Sequence, residues 1–164
     1  MNSAVMFSKA SDEWRTPWQL FQPLHREFGF GLDAAATYEN KLTTRYLYDA
    51  LRAEWHDAAW GHPIWLNPPY SKCRAFIAKA AQEAQKGATV VCLVPSRTDT
   101  RWWHEHVWDA ENHRQRPGVE VRFIKGRIVF LGADGQPMRD SKGRVVGAPF
   151  PSVVIVFRPP QAAV

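Results

Sequence analysis
The order of apolar and polar positions divides the chain into short elements. Leu20, Phe21, Leu24 and Phe28 recur at spacings that place them on one helical face. Thr16 followed by Pro17 is a favoured helix opening, with the threonine as N-cap and the proline at the first helical position. Pro23 lies inside this pattern and predicts a kink or a break into two turns. Residues 30–33 (FGLD) read as a short buried strand closing on an acid, followed by the small-residue turn Ala34-Ala35-Ala36. Pro63-Ile64-Trp65-Leu66 is a compact apolar run that must stop at Asn67-Pro68-Pro69-Tyr70, because consecutive prolines cannot continue a ladder. Over 71–86, Phe76, Ile77, Ala80, Ala81 and Ala84 define a helical face, and Gly87 terminates it. Residues 88–94 (ATVVCLV) are almost continuously apolar, as befits a central strand covered on both sides. Residues 119–124, 127–131 and 152–157 are further strand candidates, the last two separated by a polar stretch, 132–148, that reads as a hairpin loop. Between 41 and 60 the pattern is less regular, with Leu47, Leu51, Trp55 and Trp60 expected to face the core from a short helix and its following loop.

Strand, helix, strand through the middle of the chain implies a parallel pair joined by a right-handed crossover. The expected architecture is α/β, a three-layer sandwich with a mostly parallel sheet and an antiparallel ribbon at its C-terminal end. Ligands in such sheets gather beyond the carboxyl ends of the strands, where Asp33 and Asn67 fall. At 164 residues the chain is one domain, 1–164, with its core expected over 12–157.

Composition narrows the possibilities. With 45% hydrophobic and 23% charged residues, wholesale disorder is excluded. No apolar run approaches the roughly 20 residues of a membrane span, and the first residues lack the apolar core of a secretion signal, so a cytoplasmic protein without membrane association is expected. Two cysteines, Cys73 and Cys92, cannot build a disulfide scaffold or a zinc cage. Residues 1–96 carry 10 Lys/Arg against 9 Asp/Glu, whereas 97–164 carry 11 against 7, so the excess of positive charge lies in the C-terminal part. A basic portion of this kind suits a polyanion, since neutralising phosphates releases condensed counterions; a merely basic globular protein has the same arithmetic.

Asn67-Pro68-Pro69-Tyr70 carries the most chemistry. The lone pair of an exocyclic amine such as adenine N6 is delocalised into the ring, so the nitrogen must be drawn toward tetrahedral geometry before it can attack. Two acceptors around the NH₂ do this: the asparagine side-chain oxygen and the carbonyl of the next proline. The prolines fix the backbone, so that carbonyl is aimed before the reaction begins. The following aromatic ring can stack on a base rotated out of a duplex. The same residues also make a plain strand-ending turn, and a similar tetrapeptide serves protein-glutamine methylation, so the motif alone does not fix the substrate.

Further landmarks join it in order: Trp14-Arg15-Thr16-Pro17, the run 28–36 (FGFGLDAAA), Ser71, the run 93–100 (LVPSRTDT) with Trp102-Trp103-His104, Gly126-Arg127-Ile128-Val129-Phe130, and Gly147-Ala148-Pro149. With these, from about Asp12 to Phe157, the chain resembles the phage-type DNA N6-adenine methyltransferases, a Dam-like family within the class I (Rossmann-like) S-adenosylmethionine-dependent fold. The resemblance implies S-adenosyl-L-methionine as cofactor and double-stranded DNA as partner, in a phage or prophage protein acting inside a bacterial host as a monomer or weak homodimer. It places Asn67, Pro68, Pro69 and Tyr70 at the reacting base. It sets Trp14, Thr16, Pro17, Asp33, Ala34, Ala35 and Asn67 against the cofactor, with Asp49, and more weakly Asn40, as the acceptor for the ribose hydroxyls. Most class I methyltransferases have a glycine-rich turn after the first strand; here the glycines, Gly29 and Gly31, precede the acid.

Arg97, Arg101 and Arg127, flanking strand ends, and Lys142 and Arg144 in the polar loop are candidates for DNA contact. Trp102-Trp103 is assigned to the core rather than to base stacking. His104-Glu105-His106 lacks the spacing of a zinc-protease helix, and the His-x-Glu and Pro-Cys-x-x-Cys elements of zinc deaminases are missing, so no metal is expected. An RNA or protein-glutamine methyltransferase and a catalytically inactive DNA-binding module of the same fold remain as alternatives.

Overall fold
The computed structural model describes residues 14–162; Asp12, the expected start of the core, lies outside them. In chain order the elements are α1 (Trp18–Phe28), β1 (Leu32–Asp33), α2 (Trp55–Ala58), β2 (Ile64–Leu66), α3 (Cys73–Gln85), β3 (Val90–Pro95), α4 (Arg101–His106), β4 (Trp108–Asp109), β5 (Arg114–Gln115), β6 (Val119–Phe123) and β7 (Ser152–Phe157), with single 3-10 turns at Ala50–Arg52 and Tyr70–Lys72. Five strands form one sheet in the order β1-β2-β3-β7-β6, and β4 and β5 form a separate small hairpin. β1, β2 and β3 are parallel, whereas β7 runs antiparallel to both β3 and β6. The sheet is therefore mixed, half parallel and half antiparallel in its pairings, where a mostly parallel one was expected.

All six residues of β3 are buried, which explains its unbroken apolar run. Alternation along the strands sends side chains to two separate cores. Ile64, Leu66, Val90, Cys92, Val94, Val153 and Ile155 pack against α3, Trp55 and the Trp102/Trp103 pair. On the other face Trp65, Val91, Leu93, Val154 and Val156 meet Phe21 and Phe30 from the α1 region together with Ile128, Phe130 and Phe150. Three layers result.

Several local expectations are corrected. Pro17, extended at φ −66° and ψ 142°, occupies the N-cap of α1 and makes no side-chain cap bond, so Thr16 is not the cap. Pro23 neither splits nor ends α1, which is continuous over 11 residues; Pro23 and Gln19, whose carbonyl loses its helical donor, are both exposed, so water can replace the missing bond. Residues 127–131 are not a ladder strand. Their bonds go to three neighbours: Ile128 O accepts from Ala148 N–H, Phe130 O accepts from Met138 N–H, and Leu131 exchanges two bonds with Arg15. Ile128 and Phe130 thereby cover the sheet instead of joining it. Trp55 is core, but Leu51 and Trp60 are exposed; Trp60 takes a left-handed backbone at φ 53° and carries the Arg45 guanidinium 3.3 Å from its ring centre. Among the described residues no helix is long and apolar enough to cross a membrane.

Candidate active site
The parallel register brings the C-terminal ends of β1, β2 and β3 to one edge of the sheet, so Asp33, Asn67 and Ser96-Arg97 emerge together. The antiparallel partners add to it. Pro95 pairs with Ser152, and Phe123 with Val153, so the whole segment 124–151 leaves from and returns to the same edge. That segment holds five basic residues against two acidic ones. It folds as a meander with tight turns at 132–136 and 140–144, closed by Gly132 N–H to Gln136 O and Asp140 N–H to Arg144 O.

A cleft of about 330 Å³ opens at this edge, lined among others by Trp14, Thr16, Asp33, Ala35, Asn40, Tyr48, Trp65, Asn67 and Pro69. Its volume suits a small organic ligand, and it combines apolar walls with a few polar groups. Asp33 is 3% exposed. Its carboxylate accepts from Leu42 N–H at 3.0 Å and Ala35 N–H at 3.4 Å. Burial pushes its pKa up to about 6, against the opposing pull of those two bonds.

Asn67 also faces the cleft. Its Nδ2 donates to the Trp14 carbonyl at 2.5 Å and to Thr16 Oγ1 at 3.0 Å. A carbonyl can only accept, so the amide must turn its nitrogen toward Trp14. Oδ1, on the other limb, is buried without a hydrogen-bond partner among the described residues. Unpaired buried acceptors are uncommon and costly.

The remaining candidates divide. Trp14, Thr16 and Ala35 line the cleft, whereas Ala34 packs in the core beneath it, and Pro17 starts α1 outside the lining. Asp49 is exposed, with its carboxylate 4.0 Å from Arg52, and stays off the cleft wall. A rudimentary strand precedes it: Tyr46 makes a parallel bridge to Asp33, flanked by Asp33 N–H to Arg45 O and Leu47 N–H to Asp33 O. This rudimentary strand delivers Tyr48, not Asp49, to the cleft. Pro68 is buried. Tyr70 lies off the lining, its ring 6.5 Å from Trp14 at 17° and edge-on to Phe150 at 5.5 Å, and its buried hydroxyl has no partner among the described residues. Arg97, Arg101, Arg127, Lys142 and Arg144 are all exposed and outside the cleft; Arg144 pairs with Asp140 at 2.7 Å and Arg101 lies 3.9 Å from Glu105. Tyr48 and Leu42 were missed by the reading of the sequence; an aromatic next to a suspected acid was the available signal for the first, and nothing local marked the second.

Comparison with known proteins bears on the same residues. The family model described as DNA N-6-adenine-methyltransferase (Dam) matches residues 4–163. A DNA N-6-adenine-methyltransferase of Escherichia phage T1 is 32% identical over 150 residues, covering 82% of this chain and 61% of that protein. Another protein of the same description, from Haemophilus phage HP1 (strain HP1c1), is 27% identical over 161 residues, covering 93% of this chain and 83% of its own. The chain thus spans about three fifths of the length of the phage T1 protein. No solved structure matches. With a family model covering nearly every residue, including the Asp33 strand and the Asn67 turn, the chain belongs to the DNA N-6-adenine-methyltransferase (Dam) family.

Proposed function
We propose that this chain transfers a methyl group from S-adenosyl-L-methionine to N6 of adenine in double-stranded DNA, acting on a base rotated out of the helix. The observation that carries the reading is Asn67: a buried side-chain oxygen with no partner among the described residues, its amide orientation fixed from behind, in the same cleft as a buried carboxylate that no cation shifts.

The residues present fit the cofactor. Trp14, Asp33, Ala35, Asn40 and Tyr48 would hold it, the Asp33 carboxylate offering a counter-charge to its ammonium group and the apolar walls a surface for its nucleoside. S-adenosylmethionine supplies an electrophilic methyl group when bound. Asn67 Oδ1 accepts one hydrogen of the adenine amine and the Pro68 carbonyl the other, drawing the nitrogen lone pair out of conjugation with the ring. No strong base is needed, because the amine proton becomes acidic only after the bond has formed and passes to water. Tyr70 stacks on the extruded base after leaving its packing against Trp14 and Phe150. Arg97, Arg101, Arg127, Lys142 and Arg144, all on the edge that holds the cleft, contact the phosphates.

The test is incubation of the protein with methyl-labelled S-adenosylmethionine and duplex DNA, followed by nucleoside analysis. Label in N6-methyladenine is the expected result. Label in another nucleoside, in RNA alone, in protein glutamine, or in no product overturns the reading.

A further inference from the structure
We infer that Thr16 is a positioning residue for Asn67: its hydroxyl oxygen, with the Trp14 carbonyl, takes up both amide hydrogens so that the side chain presents only an acceptor to the cleft. This rests on the proposed role of Asn67 and goes beyond it by assigning what sets the amide's direction.

A primary amide has two nearly isosteric ends, and rotation by half a turn exchanges them. With the oxygen forward, Asn67 accepts from an amine; with the nitrogen forward, it confronts that amine with N–H groups and opposes the reaction. The protein must therefore choose. The Trp14 carbonyl takes one hydrogen of Nδ2. Left alone, the second hydrogen would be either unpaired in a buried site or free to bind whatever enters the cleft. Thr16 Oγ1, at 3.0 Å, removes it from both fates. Thr16 is 5% exposed, so water has little access to take over the bond. Pro17, not Thr16, holds the N-cap position of α1, and the side-chain hydrogen bond observed for Thr16 is the one to Asn67, 51 residues away in sequence.

The anchor itself is held in place. Arg15, between the two partners, exchanges paired backbone bonds with Leu131 at 3.0 and 2.9 Å, and Trp14 packs edge-on to Phe130 and Phe150 at 5.5 and 5.2 Å. Segment 14–16 is thus a fixed strap behind the Asn67 turn. The chain position that looked like a helix cap is spent on the reacting end of the cleft.

The experiment compares Thr16→Val, which keeps shape but removes the acceptor, with Thr16→Ser, which keeps the oxygen. Steady-state methylation of duplex DNA, cofactor affinity by titration calorimetry and thermal unfolding are read on each. The expected result for Thr16→Val is a fall of about tenfold in kcat, the rate equivalent of one hydrogen bond. Affinity for S-adenosylmethionine is expected to stay within about threefold, and Thr16→Ser to regain most of the rate. If Thr16→Val does not fold, Thr16→Ala carries the same prediction. Wild-type kcat in the acceptor-free variant, or a loss confined to cofactor affinity, overturns the inference. Asn67→Ala keeps the two failures apart: an inactive Asn67→Ala beside a fully active Thr16→Val sinks only the positioning role, while an active Asn67→Ala sinks the underlying reading.

Discussion
Two buried carboxylates at opposite ends of the sheet, Asp33 closing β1 at the working edge and Glu83 near the end of α3 where the chain turns back into β3, have opposite circumstances. Glu83, on α3, is fully buried and pairs with Lys79 at 2.7 Å, while accepting from His56 N–H at 3.2 Å. Burial alone would raise its pKa, but the Lys79 and His56 bonds and the ammonium charges of Lys79 and Lys86 outweigh it and hold the group below its ordinary range. Asp33 is buried almost as deeply, has two backbone N–H partners and no cation among the groups that shift it, and is pushed up to about 6. A buried charge whose counterion is internal is finished structure. One that no cation among the described residues shifts, and which faces a cleft, is suited to a ligand that brings a positive charge. The same contrast separates Asn67 Oδ1 from the satisfied amides elsewhere.

The comparison can be broken most forcefully at Glu83. Glu83→Ala leaves the half-buried Lys79 without its carboxylate, and urea denaturation is expected to show a loss of about 3 kcal/mol, with kcat of the remaining folded protein unchanged. A loss below about 1 kcal/mol would mean that the pair is not internally satisfied structure.

Asp33→Asn is expected to do the reverse. The folded pKa of Asp33 lies above its ordinary value, so its ionisation costs stability, absent below about pH 4 and complete above about pH 6. That rise corresponds to about 3 kcal/mol. Unfolding of Asp33→Asn should therefore match wild type near pH 4 and exceed it by up to about 3 kcal/mol at pH 8. Cofactor affinity at pH 8 should fall about 30-fold, or about 2 kcal/mol. In wild type that affinity should also weaken as pH drops below 6, a dependence the variant lacks. Equal stability at both pH values would show that Asp33 is not stranded.

The smallest effect is expected at Tyr70. Its buried hydroxyl has no partner among the described residues, so Tyr70→Phe should stabilise the protein by about 1 kcal/mol while the ring keeps methylation near wild type. A large loss of activity with no gain in stability would show that the hydroxyl finds a partner when DNA binds.

What the sequence made legible follows from the range of the interactions. β3 announces itself because a strand covered on both faces must be apolar throughout, and the Asn67-Pro68-Pro69 stop because proline cannot extend a ladder. Asp33 and Asn67 were placed correctly at one edge, since parallel strands share a C-terminal side. The bridge strand at Tyr46 left no pattern, as one bridge needs no run of alternating residues. Glu83 was visible in principle: it stands three positions after Ala80 and seven after Phe76 on the apolar face of α3, with Lys79 one turn before it. Thr16 fits a local capping pattern, but its side chain is committed to Asn67, far along the chain. The covering role of 127–131 was unreadable for the same reason, its apolar alternation being identical to that of a strand.

Asn67 Oδ1, buried without a partner among the described residues, is probed most directly by single-turnover methylation of duplex DNA by Asn67→Ala at saturating S-adenosylmethionine. The expected outcome is a rate lower by about 10²–10³-fold, with cofactor affinity within about threefold of wild type. A rate within about threefold of wild type would contradict the claim that this oxygen prepares the amine.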